Sequence, residues 1–196
     1  KDIVLHNWPH YYMAGFFNMF LCPMVSGSTI YFTNEIGVDT YLKYWSLLLK
    51  NKITKSYLSP TMAQAVINYS NYNKLPKNKK INTTIFSTGS YLYSNIYKNF
   101  KSIFEVYLKN CYGVTEAGAS ISLADKNESD LVGKLSKGIF IKLSKKKEIM
   151  IKSNYFFEGY YGFFLILKYN IQLDLFTPKF RFNSFGQNIF DIFKPK

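Results

Sequence analysis

The chain has 196 residues, 47% apolar and 19% aromatic, with a formal net charge of +13. That length and apolar content can bury one sizeable core, which excludes a disordered chain. The charge raises nucleic acid or an anionic membrane as partners. However, Arg181 is the only arginine among 25 basic residues, and readers of phosphate and guanine edges rely on arginine's forked geometry.

Asp2–Asn7 reads as a short apolar strand, followed by an aromatic loop from Pro9 to Gly15. Met13 to Phe32 is long enough for a membrane span at about 20 residues. Its Asn18, Pro23, Ser26, Gly27, Ser28 and Thr29 argue instead for a buried helix over Met13–Leu21, a break at Pro23–Gly27 and a strand over Ser28–Phe32. Asp39 is expected to cap a helix over Thr40–Asn51 that presents Tyr41, Tyr44, Trp45 and Leu48 on one face. A strand over Ile53–Leu58 closes at Ser59-Pro60, and Thr61–Tyr69 is helical. Asn71–Asn82 is a polar, lysine-rich turn. Thr83–Ser87 is a strand, Leu92–Phe104 a helix, and Glu105–Asn110 a strand leading straight into Tyr112-Gly113.

This alternation predicts an α/β fold: a wound, mostly parallel sheet with flanking helices over residues 1–130. Ligands bind beyond the carboxyl ends of such strands. The turns Thr88-Gly89-Ser90 and Tyr112–Glu116 should therefore converge on one crevice. Gly133, Gly138 and Gly159 punctuate short β runs at Ile139–Leu143 and Glu148–Lys152. These predict a short antiparallel β portion over residues 131–162 of the same domain. Residues 163–196 read as a divergent, irregular tail.

Lys, Asn, Ile, Tyr and Phe run high together, as the codon bias of an AT-rich genome produces. The basic runs Lys77-Asn78-Lys79-Lys80 and Lys145-Lys146-Lys147 read as solvated turns. Cys22 and Cys111 have neither CxxC nor metal-site spacing, so both are expected buried and reduced in a cytoplasmic protein. Lys1-Asp2-Ile3-Val4 does not open a secretory signal. The missing initiator Met suggests a piece of something longer.

In the run Tyr112-Gly113-Val114-Thr115-Glu116 a strand ends, a glycine permits a sharp turn, and a hydroxyl and a carboxylate follow. The hydroxyl can donate to a phosphate oxygen, the carboxylate can hold a hard divalent cation, and the tyrosine offers a flat face to a base. Taken alone, the five residues read equally as a strand-to-loop turn with a capping threonine. Their surroundings form an ordered series. Pro9-His10-Tyr11-Tyr12-Met13-Ala14-Gly15 comes first, then Ile53-Thr54 with Pro60, then Ser87-Thr88-Gly89-Ser90-Tyr91-Leu92. After the central run come Val132-Gly133-Lys134, Glu148-Ile149-Met150-Ile151-Lys152-Ser153 and Gly159-Tyr160-Tyr161. Over roughly residues 1–162 the series resembles the adenylate-forming (AMP-binding) superfamily of acyl- and aryl-CoA synthetases, peptide-synthetase adenylation domains and luciferases.

The resemblance implies ATP and Mg²⁺ as cofactors and attack of a carboxylate on the α-phosphorus, releasing pyrophosphate. The acyl adenylate then passes to coenzyme A or a carrier pantetheine, with an acyl carrier protein as one possible partner. Tyr112 would stack on adenine, Thr115 would contact the α-phosphate, and Glu116 would ligate Mg²⁺. Gly89, Ser90 and Tyr91 would wall the adenine and acyl pocket, Gly113 would let the backbone approach the ligand, and Asn110 joins this nucleotide-binding set. Thr115 and Glu116 are thus the expected catalytic pair. Catalysis would be mainly charge neutralisation and positioning.

The departures from the family pattern are as informative. A Gly/Ser/Thr-rich loop ending in Lys would lie upstream of Lys1. The family's usual histidine falls on Tyr12, with His10 two places early. The ribose-binding stretch is best matched by Phe182-Asn183-Ser184-Phe185-Gly186-Gln187-Asn188-Ile189-Phe190-Asp191, where Gly186 replaces the aspartate. Losing that clamp costs about 3–6 kcal/mol of nucleotide binding. Lys194 and Lys196 come too early to be the catalytic lysine of the C-terminal domain. Met13–Phe20 has no aspartate to anchor an α-amino group, which favours a fatty or aromatic acid over an amino acid.

Overall fold

In the computed structural model, the described residues are 1–34, 37–72, 81–118, 120–124, 131–145, 148–157, 171–173 and 181–182. The eight-stranded sheet runs β11-β7-β6-β5-β4-β3-β1-β2. Its strands are β1 (Ile3–His6), β2 (Thr29–Phe32), β3 (Lys55–Leu58), β4 (Thr84–Ser87), β5 (Leu108–Tyr112), β6 (Ser122–Leu123), β7 (Leu131–Leu135) and β11 (Arg181–Phe182). Strands β2, β1, β3, β4 and β5 are mutually parallel. β6 is antiparallel to β5 and to β7, and β11 lies parallel to β7. A second, antiparallel sheet joins β8 (Ile139–Leu143), β9 (Ile149–Ser153) and β10 (Ile171–Leu173).

The parallel strands alternate between two buried faces, as a doubly covered sheet requires. On one face Leu5, Leu58, Ile85 and Leu108 meet three helices: α2 (Val38–Lys50), α3 (Pro60–Asn68) and α4 (Ser94–Phe104). Tyr44, Trp45 and Leu48 of α2 enter this core with Phe100 and Phe104 of α4. The Trp45 and Phe104 ring centroids are 4.7 Å apart. The phenol of Tyr44 and the hydroxyl of Ser56 satisfy each other at 2.9 Å inside the core. On the opposite face Val4, Trp8, Ala14 and Met19 form a smaller cluster with Tyr57.

The predicted fold class is therefore the observed one, but several boundaries move. Met13–Leu21 was expected to be an ordinary helix; Ala14–Leu21 is a π-helix, and Cys22 N–H donates to the Phe17 carbonyl five residues back. The wider winding lets Ala14, Gly15, Asn18 and Met19 all face inward. The expected break at Pro23–Gly27 falls at the end of that range: Pro23 itself is accommodated in the first turn of α1 (Cys22–Val25). The chain turns at Gly27, whose φ is 67°. Asp39 does not cap α2: Gly37 is the cap residue, and Asp39 lies in the first turn, where its charge favours the helix dipole. Ser59 does cap α3, its hydroxyl accepting from Met62 N–H at 3.1 Å.

The strand expected over Glu105–Asn110 starts later. Glu105 ends α4 in the left-handed conformation at φ 57°, and β5 runs on through Tyr112. Val132-Gly133-Lys134, expected as a turn, lies within β7. A Cβ on Gly133 would stand 1.9 Å from the Leu123 carbonyl oxygen, so only glycine allows this close strand crossing. The region assigned to an irregular tail contributes β10 and β11. The lysine-rich turn at 73–80 and Gly159 fall outside the described residues. Cys22 is exposed, against expectation, while Cys111 is buried as expected; both are free thiols. No described helix is long and apolar enough to cross a membrane.

Phe100 is fully buried between Trp45 and Phe104. Phe100→Ala is expected to lower unfolding stability by about 3–5 kcal/mol, read from the urea midpoint.

Candidate functional site

Three chain segments leave the carboxyl edge of the parallel strands close together. Leu58 pairs with Ser87 and Ser87 with Asn110, so β3 and β4 end level with Asn110 while β5 runs on to Tyr112. The exit of β1 leans over β3: Trp8 Nε1 donates to the Tyr57 carbonyl at 3.1 Å, and the Trp8 and Tyr12 rings lie 5.4 Å apart. Thr88 continues the ladder through its N–H to the Leu58 carbonyl at 3.1 Å. Gly89 then turns at φ 90°, and a Cβ there would meet the Tyr12 hydroxyl at 3.3 Å and the Trp8 ring at 3.5 Å. Ser90 is exposed, and the half-buried Tyr91 ring meets Tyr93 edge-on at 5.0 Å.

After β5 the backbone passes Gly113 and Val114 into a single 3-10 turn, Thr115–Ala117, closed by Gly118 at φ 75°. Thr115 is exposed and Glu116 half-buried, so a hydroxyl and a carboxylate stand on one short turn. The Glu116 carbonyl accepts Phe157 N–H at 3.1 Å. Beneath the turn Ala117, Ile121, Ile139, Ile149 and Ile151 form an apolar cluster, with Tyr112, Val114 and Phe156 packed against it. Burial pushes the Tyr112 phenol up to about 12, so it stays protonated at neutral pH. Asn110 is buried within β5, where its carbonyl accepts Ala124 N–H at 2.8 Å.

The donor set suits a phosphate-borne Mg²⁺. Glu116 supplies hard oxygens, and among the described residues no group of three or more His, Cys, Asp or Glu forms a cage. Mg²⁺ is commonly held by one or two carboxylates, substrate phosphates and water rather than by an all-protein cage. Of the expected site residues, Gly89, Ser90, Tyr91, Asn110, Tyr112, Gly113, Thr115 and Glu116 all lie at this edge. The stretch matched to the ribose clamp is described only at Phe182, in β11; Asp174, Gly186, Asp191, Lys194 and Lys196 lie outside the described residues.

Sequence reasoning missed a buried imidazole nearby. His6 ends β1 almost fully buried, with its ring 4.3 Å from His10 and 4.9 Å from Phe32, and its Nε2 has no hydrogen-bond partner among the described residues. The one available signal was strand alternation, which places His6 on the same face as Val4. Asn18 and Ser120 were also passed over, because a contact across so many residues leaves no local pattern.

The chain belongs to the AMP-binding enzyme family, whose model matches residues 1–161. Among solved structures, the chain is similar to O-succinylbenzoate coenzyme A synthetase (MenE) from Bacillus subtilis in complex with AMP. That match has 17% identity and a TM-score of 0.64, and covers 82% of this chain and 34% of that one. ATP-bound MatB from Rhodopseudomonas palustris gives 17% identity and a TM-score of 0.65, over 83% of this chain and 33% of that one. The N-terminal domain of FACL13 from Mycobacterium tuberculosis gives 13% and 0.65, over 83% and 43%. At such identities the likeness shows the fold. The chain spans about a third of the MenE and MatB chains. No curated protein matches.

Two expectations follow. Alanine at Gly89 is strained by its backbone angle and crowded by Tyr12 and Trp8; Gly89→Ala should cost about 1–2 kcal/mol of stability in urea titration. His6 has its pKa lowered by burial first and by the His10 charge second. The unfolded chain therefore takes up a proton near pH 6.5 that the folded chain refuses until lower pH. The stability from neutral His6 is whole above about pH 6.5 and declines as pH falls toward the lowered folded value. The urea midpoint should drop between about pH 7.5 and about pH 5, and drop less in His6→Gln.

Proposed function

We propose that this chain is the central portion of an ATP-dependent carboxylate-adenylating ligase of the acyl- or aryl-CoA synthetase kind. The observation that carries this reading is the meeting of the Thr88–Tyr91 turn and the Tyr112–Glu116 turn at the carboxyl edge of a sheet whose family model matches residues 1–161. In this reading Tyr112 and Gly113, with Gly89, Ser90, Tyr91 and Asn110, shape the adenine side of the crevice. The exposed Thr115 hydroxyl donates to the α-phosphate and Glu116 holds Mg²⁺. A carboxylate oxygen attacks the α-phosphorus, the bond to the bridging oxygen breaks, and pyrophosphate leaves. A thiolate of coenzyme A or of a carrier pantetheine then attacks the acyl carbonyl and expels AMP. The phenylalanines Phe16, Phe17 and Phe20 of the π-helix, whose rings group together, favour a fatty or aromatic acid. Two free cysteines accord with a cytoplasmic setting.

We take residues 1–130 and 131–162 as one nucleotide-binding unit that does not complete turnover by itself. The chain spans about a third of the solved chains it resembles, and Gly186 stands where the family pattern has its ribose carboxylate. Gly186 at that position also supports a second reading, a catalytically decayed non-enzymatic homologue. Isothermal titration with Mg·ATP separates the two. Binding tighter than about millimolar, worth about 4 kcal/mol, supports the ligase reading; the absence of binding supports decay. Thr115→Ala and Glu116→Gln should each weaken that binding about tenfold or more, as loss of a hydrogen bond or contact to a charged group does. Pyrophosphate exchange with fatty and aromatic acids should stay at background; measurable exchange by these 196 residues would overturn the claim of incompleteness.

A further inference from the structure

The turn that carries Thr115 and Glu116 is tied at its base to an element distant in sequence. Ser120 Oγ donates to Asn18 Oδ1 at 3.1 Å, a contact spanning 102 positions. That bond uses the only proton of the hydroxyl. The thiol of Cys111, 3.5 Å from the same oxygen, must therefore be the donor in its contact with Ser120. Cys111 also touches the Thr88 side chain, which opens the Gly89 turn. The backbone of Ser120 extends the junction: its carbonyl accepts Ser136 Oγ at 3.1 Å, while Ile121 N–H donates to the Tyr112 carbonyl at 2.8 Å. One part-buried junction thus gathers the π-helix, the exit of β4, the end of β5, the return of the Gly113–Gly118 loop and the turn that follows β7.

We propose that Asn18 and Ser120 form a positioning pair that fixes the Thr115–Glu116 turn against the π-helix and so sets the geometry of the nucleotide edge. The inference rests on the nucleotide-binding reading for its functional meaning, not for its structural content. Neither residue touches the proposed ligand groups. The Tyr112–Ile121 bond closes the loop upon itself, but it does not fix where the closed loop lies relative to neighbouring elements. The Glu116–Phe157 and Ser136 hydrogen bonds and the apolar cluster tie the loop to the smaller sheet; the Ser120–Asn18 bond ties it to the π-helix. Asn18 is 8% exposed, so water does not readily replace it as Ser120's acceptor. It projects from a π-helix, whose winding brings it inward beside Met19.

Hydrogen exchange at the amides of Ala117, Gly118 and Ile121 reads the clamp without nucleotide. Ser120→Ala and Asn18→Ala should each raise exchange there about tenfold, with α2–α4 protection unchanged. Ser120→Thr and Asn18→Asp, which retain a donor and an acceptor, should restore protection. The double alanine variant should exchange no faster than either single one, since both remove the same bond. In AMP titrations the alanine variants should bind about tenfold more weakly than the unaltered chain, with rescue by the same two conservative changes. Wild-type protection at Ala117, Gly118 and Ile121 in folded Ser120→Ala overturns the proposal, as does additive loosening in the double variant. If Ser120→Ala does not fold, Asn18→Ala against Asn18→Asp reads the same bond from its other end. If the unaltered chain binds no AMP, the nucleotide reading fails while the exchange measurements still decide the clamp.

Discussion

The chain reverses direction after β5, and the carboxyl edge is organised around that reversal. Five strands run parallel up to this point, and β6 then returns antiparallel beside β5. The turn between them cannot collapse onto the parallel core, because that core is already covered by α2, α3 and α4. It is seated instead on a second apolar cluster built with β8 and β9. The residues facing the crevice are therefore supported from two directions: hydrogen bonds to the end of β5 and van der Waals contact with the smaller sheet. A polar turn held on an apolar base can leave Thr115 exposed without leaving its backbone loose.

The same arrangement explains the split character of Tyr112. Its backbone closes the ladder with Ile121, while its side chain is partly buried against the small cluster. A ring so placed is pre-oriented, and a flat partner laid against it would meet little entropic cost of ordering. The aromatic contacts on the β1 side serve a different purpose. Trp8 and Tyr12 cover the inner side of Gly89 and hold that turn close to the sheet.

Much of this was legible in the sequence where the cause was local. Short apolar runs alternating with amphipathic helical stretches fixed the α/β class, and the Ile139–Leu143 boundaries were read correctly. The face of α2 followed from the spacing of Tyr44, Trp45 and Leu48. Legibility failed where tertiary contacts decide. Nothing around Asn18 announces a π-helix, because the extra residue per turn is rewarded by packing against the sheet and by Ser120. β6 has only two residues, too few for a pattern. β7 was hidden because Gly133, normally a sign of a turn, marks here a close backbone approach. The motif residues were found by their ordered series, whereas the junction beneath them lies across long sequence separations.

One edge of the large sheet is formed by β2, with neighbour β1 on one side and none on the other among the described residues. Its sequence, Thr29-Ile30-Tyr31-Phe32, carries no charge and no proline. Phe32 is half exposed, with Met24 and Val25 of α1 exposed nearby in the chain. An open strand of that kind is a template for sheet growth between molecules. What opposes it is the charge of +13 distributed over the chain, which repels like copies before their edges meet. Added salt weakens that repulsion: at about 1 M the screening length falls to about 3 Å, and copies would then meet at this edge with little electrostatic resistance.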